Sequence, residues 1–91
     1  MLKPSVPVEK FVSDAGFKWC KKPYEACAYL CVSRGVKMIF VSRVMLAVND
    51  WDDTDPRIHK RANCKYRDQR DVYDITYQLI KAGMLKGDWR G

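Results

Sequence analysis

The residues best suited to chemistry in this chain are four cysteines, Cys20, Cys27, Cys31 and Cys64, and a lone histidine, His59. Together they hold enough donors for a tetrahedral zinc site. Structural zinc sites present their ligands as close pairs, so that one tight knuckle supplies two of them. Only Cys27 and Cys31 are close, and they fall on the apolar side of a helical pattern, where cysteine behaves as a small hydrophobe. No metal is expected. The aspartates Asp50, Asp52, Asp53 and Asp55 raise calcium or magnesium. An EF-hand loop needs Gly at its sixth position and Glu at its twelfth, and counted from Asp50 these are Asp55 and Arg61. A solvated acidic loop that folds back on the basic segment beside it fits better. Cys64 and His59 form the one nucleophile–base combination, but an i, i+5 relation in a loop carries no specificity. The five glycines stand singly and make no phosphate-binding loop. No cofactor and no catalytic residue are expected.

Charge points elsewhere. Lys and Arg number 17 against 11 Asp and Glu, for a formal net charge of +6. That excess suits a polyanionic partner. It is also clustered, because "RIHKRANCKYRDQR" (57–70) holds Arg57, Lys60, Arg61, Lys65, Arg67 and Arg70.

The elements that must position these residues follow from periodicity and punctuation. Met1–Val6 reads as extended, because Pro4 and Pro7 disfavour helix at the residues before them. Pro7 opens a helix through Val8, Phe11, Val12 and Ala15 that stops at Gly16. "FKWCKK" (17–22) is a connector or short strand. A second helix is expected from Pro23 to Gly35, since Tyr24, Cys27, Ala28 and Cys31 fall at i, i+3, i+4 and i+7. "VKMIFV" (36–41) reads as a buried strand, with a continuous helix from Met38 as the alternative. Ser42 caps a third helix with Val44, Met45 and Val48 inside and Trp51 near its end. Residues 49–57 are loop by composition.

The segment 70–82 reads as an amphipathic helix with Val72, Ile75, Leu79 and Ala82 as its apolar stripe. Asp68 is its expected N-cap and Gly83 its stop. "MLKGDW" (84–89) reads as one or two short strands turning at Gly87.

Helix, helix, short strand, helix, basic connector, helix, short strand is an order that resembles the winged helix-turn-helix family. "GVKMIFVSRVMLAVND" (35–50) is similar to its first strand and second helix. "RDVYDITYQLIKAGMLKGDW" (70–89) is similar to its third helix running into the wing. The resemblance implies a mostly α fold with a small β component: a winged-helix-like domain of three to four helices, one short strand and a C-terminal wing. It covers roughly residues 23–89 of a single domain, 1–91, with 1–22 as an N-terminal arm or helix and 23–91 as the winged-helix-like core.

It further implies that helix 70–82 lies in the major groove of double-stranded DNA, with Arg67 and Arg70 at the entering end and Gln78 and Lys81 further along. Tyr73 and Tyr77 would contact sugars or thymine methyl groups. Arg57, Lys60, Arg61 and Lys65 would hold the phosphate backbone. Lys86 and Arg90 would be wing contacts. The bland reading of the same helix is a solvated polar face, with Arg70 and Asp74 paired at i, i+4 and both tyrosines in the core with wet hydroxyls.

The function expected is therefore a basic, non-enzymatic DNA-binding protein, a transcriptional regulator or nucleoprotein accessory factor. A homodimer through Phe11, Val12 and Trp19 is the expected assembly. The rival is a phage- or virus-encoded interaction protein. It would dock an acidic patch of a host machine through a basic surface rich in its three Trp and five Tyr. No apolar run approaches the ~20 residues of a spanning helix, and no secretory signal is read at the start. The expected compartment is the reducing cytoplasm.

Overall fold

The computed structural model describes residues 1–34, 37–52, 54–59 and 68–87. Its order is β1 (Leu2–Pro4), α1 (Val8–Ala15), β2 (Lys18–Trp19), β3 (Ala28–Val32), β4 (Lys37–Val41), β5 (Leu46–Asp50), α2 (Val72–Lys81) and β6 (Leu85–Gly87). Strands β2-β3-β4-β5 form one antiparallel sheet, and β1 pairs with β6 in a second. Among the described residues 24% are helical and 32% are strand. The domain is thus α+β with a sheet-rich core. The mostly α, winged-helix-like arrangement of three to four helices is not what these residues build.

Two expected helices are strand or turn. The helix expected from Pro23 is a turn followed by β3, and the Lys22–Pro23 peptide bond is cis. Its i, i+3, i+4, i+7 apolar spacing arises because β3 is buried on both faces. Ala28 and Val32 enter one core with Leu30 packed against it, and Tyr29 and Cys31 enter the other, so the strand carries no polar alternation. The helix expected after Ser42 is a tight turn, closed by Ser42 N–H donating to Met45 O at 2.9 Å, and then β5. Of "VKMIFV", Lys37–Val41 form β4, a strand as expected, and Val36 lies outside the described residues.

The two helices read from amphipathicity form. Pro7 precedes α1, and Gly16 ends it in the left-handed region at φ 76°. Phe11 is fully buried and meets Phe17 edge-on at 5.4 Å between ring centroids. Removing such a ring costs about 3–5 kcal/mol. This burial also corrects the expected dimer contact, because Phe11 and Val12 are spent inside the chain's own core. The α2 N-cap is Asp71 rather than Asp68: its carboxylate accepts from Asp74 N–H at 2.8 Å.

Both helices pack on one face of the larger sheet. Phe11, Val12, Val72, Ile75 and Leu79 share a cluster with Ala28, Val32, Ile39, Val41 and Leu46. The opposite face, Cys20, Tyr29, Cys31, Met38 and Phe40, is covered by Ile58 and Trp51 from the segment after β5. Among the described residues Leu85–Gly87 do not enter a wing hairpin, and residues 88–89 of the expected wing lie outside them. Strand β6 instead pairs with Leu2–Pro4, with Lys3 opposite Lys86. No helix among the described residues is long and apolar enough to cross a membrane.

Candidate nucleic-acid interface

Two of the arginines expected to bind DNA are held by the same local device. Asp55-Pro56-Arg57 and Asp68-Gln69-Arg70 each form an Asp-x-Arg clamp. In both, the Asp Oδ1 accepts from the Arg backbone N–H at 2.9 Å, an Asx turn, and also from Arg Nε, at 3.0 Å and 2.9 Å. Oδ2 accepts from Nη2 at 2.7 Å in the first clamp and 2.6 Å in the second. The guanidinium holds each carboxyl below its ordinary pKa, with the side-chain hydrogen bond as the largest cause. Arg57 also lies over the Phe40 ring, 3.7 Å from its centroid. Arg70 Nη1 donates to Gln78 Oε1 at 2.5 Å, so Arg70 does not pair with Asp74 as the bland reading had it.

The expected binding residues do not share a surface. Arg57 lies on the sheet face away from the helices, above Phe40, whereas Tyr73, Gln78 and Lys81 ride on α2 on the other face. Arg70 joins the α2 group through Gln78. Lys81 Nζ stands 5.5 Å from the Tyr77 ring centroid. Tyr73 and Tyr77 are 63% and 62% exposed, not core residues. Lys86 is on β6, facing Lys3 across the ribbon. Lys60, Arg61, Lys65, Arg67, Arg90 and Cys64 lie outside the described residues.

A basic surface that the sequence reading passed over lies at one end of the larger sheet. Trp19, Ala28, Val41 and Leu46 form one row across all four strands. The β2–β3 and β4–β5 connections must therefore project from the same end, about 10 Å apart, which is two inter-strand spacings. The first carries Lys21 and Lys22, the second Arg43, all exposed and in no ion pair with a described carboxylate. Tyr24 stands 40% exposed in the first turn. Tyr24 N–H donates to Lys21 O at 2.8 Å, which holds that turn tight. Lys21 N–H donates to Arg57 O at 2.9 Å, so the segment after β5 braces it. Glu25 lies in the same turn and offsets one of the three charges.

The described acids elsewhere serve local structure. Asp14 pairs with Lys10, Asp50 with Lys37, and Asp52 accepts from Thr54. Within the loop 49–57, Asp55 folds back on Arg57 at its basic end. The loop's first two residues belong to β5.

Cys20, Cys27 and Cys31 are reduced thiols on the face opposite the helices. Cys27 and Cys31 are four residues apart on extended chain, about 13 Å, too far to share a metal ion. Cys20 and Cys27 face each other across the ladder, with Cys20 N–H donating to Cys27 O at 3.0 Å. Burial pushes the Cys20 thiol up to about 11. His59 N–H donates to the buried Tyr29 hydroxyl at 3.1 Å, and its ring stacks on Tyr29. Among the described residues, no group of three or more His, Cys, Asp or Glu side chains is placed to hold a metal.

Comparison of the chain with protein-family models, with curated protein sequences and with solved structures found no match.

Proposed function

We propose that this is a small, non-enzymatic protein that binds double-stranded DNA through its sugar–phosphate backbone, as a nucleoprotein accessory factor or regulator. The observation that carries the reading is the gathering of Lys21, Lys22 and Arg43 at one end of the sheet, with Tyr24 among them. Lysine and arginine on two short turns grip phosphates as point charges and read no sequence. An exposed tyrosine beside them offers a ring to sugars or base edges. The proposed mode therefore differs from major-groove reading by α2, whose Gln78 is bonded to Arg70 just ahead of the helix. The proposed compartment is the reducing cytoplasm, which suits the three described thiols.

The test compares the chain with its Lys21→Ala/Lys22→Ala/Arg43→Ala variant, titrated against a labelled duplex of random sequence by fluorescence anisotropy. All three positions are exposed, so the fold is retained and circular dichroism checks it. The variant is expected to lose affinity on every sequence and to lower the salt slope by about 3. Unchanged affinity and slope overturn the reading and move the search to an acidic protein surface.

A further inference from the structure

Among the described residues, α2 carries one solvent-exposed apolar face. Val72, Ile75, Thr76 and Leu79 turn into the core, and the Thr76 hydroxyl donates back to Val72 O at 2.9 Å. On the outside, Tyr73, Tyr77 and Ile80, at i, i+4 and i+7, are 63%, 62% and 42% exposed. With Asp74 and Thr76 they line an open groove along the helix. Two tyrosines and an isoleucine in one stripe have the composition of an interface core rather than of ordinary surface.

We infer that this face joins two copies of the chain through antiparallel α2 helices. The arrangement of charge selects that occupant. Each residue turns the helix by about 100° and advances it by about 1.5 Å. Tyr77 is then the midpoint of the stripe. Asp74 lies about 4.5 Å before it and Lys81 about 6 Å after it, both rotated about 40–60° to one side. Tyr73 lies about 6 Å before it and Ile80 about 4.5 Å after it, rotated by the same amount to the other side.

A two-fold axis beside Tyr77 reverses the helix but keeps each flank on its own side. It sets Asp74 beside Lys81 of the second copy, and Tyr73 beside Ile80, each contact occurring twice. The two Tyr77 rings meet on the axis. A parallel pairing, with its two-fold along the helices, swaps the flanks and sets Asp74 beside Tyr73 and Lys81 beside Ile80, leaving both charges without an opposite partner. The antiparallel pairing also opposes the helix dipoles favourably.

A ten-residue helix is about 15 Å long, so the contact falls short of the roughly 800 Å² per partner of a standard interface. The dimer is weak and concentration-dependent. This inference does not rest on nucleic-acid binding.

Sedimentation velocity on the full chain, over a dilution series from millimolar to micromolar concentration, tests it. The mean mass is expected to move from dimer toward monomer on dilution. Asp74→Lys alone and Lys81→Asp alone are each expected to weaken association by about tenfold, and the double reversal to restore it. Both positions are exposed, and circular dichroism verifies that each variant folds. A monomer at every concentration overturns the inference and leaves the face to a different protein or to nucleic acid. Association untouched by either reversal, or not restored by the pair, overturns the antiparallel pairing.

Discussion

Asp68 holds Arg70 by two parallel bonds, Nε to Oδ1 at 2.9 Å and Nη2 to Oδ2 at 2.6 Å. The same Asp68 fastens the start of the last helical segment to the sheet. Its N–H donates to Cys31 O at 2.8 Å, and its own carbonyl accepts from Ser33 N–H and Ser33 Oγ, each at 3.0 Å. Asp68 thereby bridges to Val32 just beyond the residues of β3 that β2 covers. Asp68 thus ties its neighbour Arg70 through its carboxylate and the sheet through its backbone.

The two Asp-x-Arg clamps give the chain an acid dependence. Asp55 and Asp68 have pKa values held below 3.8, chiefly by their arginine hydrogen bonds. Groups depressed on folding stabilise above their unfolded pKa, and that stabilisation is lost as pH falls through the folded value. Urea unfolding is therefore expected to show stability level near neutral pH and falling below about pH 4. Asp68→Asn should cost about 1–3 kcal/mol at pH 7 and flatten the acid limb. An acid limb unchanged in the Asp55→Asn/Asp68→Asn double variant would contradict this.

Gly87 is fixed by close approach. It sits at φ 112°, and a Cβ there would lie 2.1 Å from the carbonyl oxygen of Met1. The β1–β6 pairing buries Leu2 and Leu85 against the main core. Gly87→Ala is expected to open the ribbon and lower stability by about 1–3 kcal/mol, read from the denaturation midpoint and from loss of amide protection at Lys3 and Lys86. Wild-type protection in the variant would show that the ribbon tolerates a side chain.

Cys20 is expected to be the slow thiol. Its pKa, pushed from 9.0 to about 11 by burial with Cys27 adding to it, leaves little thiolate at pH 8. A two-unit rise slows alkylation by about a hundredfold. The stabilisation from keeping this thiol neutral is complete below its unfolded value and is lost as pH rises through about 11. Iodoacetamide labelling followed by peptide mass spectrometry should modify the half-buried Cys27 first, and both only after denaturation. Equal rates in the native chain would contradict the burial of Cys20.

Amphipathic helices with their own punctuation were legible in the residues. α1 has Pro7 before it and Gly16 after it, and α2 has a one-sided stripe ending at Lys81. β3 was not legible, since burial on both faces removes alternation and leaves Tyr24, Cys27, Ala28 and Cys31 at a helical spacing by coincidence. The pairing of Leu2–Pro4 with Leu85–Gly87 joins the two ends of the described chain, and no local pattern announces it. Of the candidate site, the charge excess was visible, but its placement was not. Lys21 and Lys22 were assigned to a connector and Arg43 to a helix, and only the register of four strands brings them to one end. The repeated Asp-x-Arg spacing at 55–57 and 68–70 was a usable signal that both arginines are bonded locally.

The central claim, that the basic end of the sheet grips DNA by its phosphates, is tested most directly by the affinity of the unmodified chain for a random-sequence duplex at two salt concentrations. Three phosphate contacts predict about a fortyfold loss between about 50 and 200 mM salt, with little preference among sequences. No binding at low salt, or an affinity indifferent to salt, would contradict the claim.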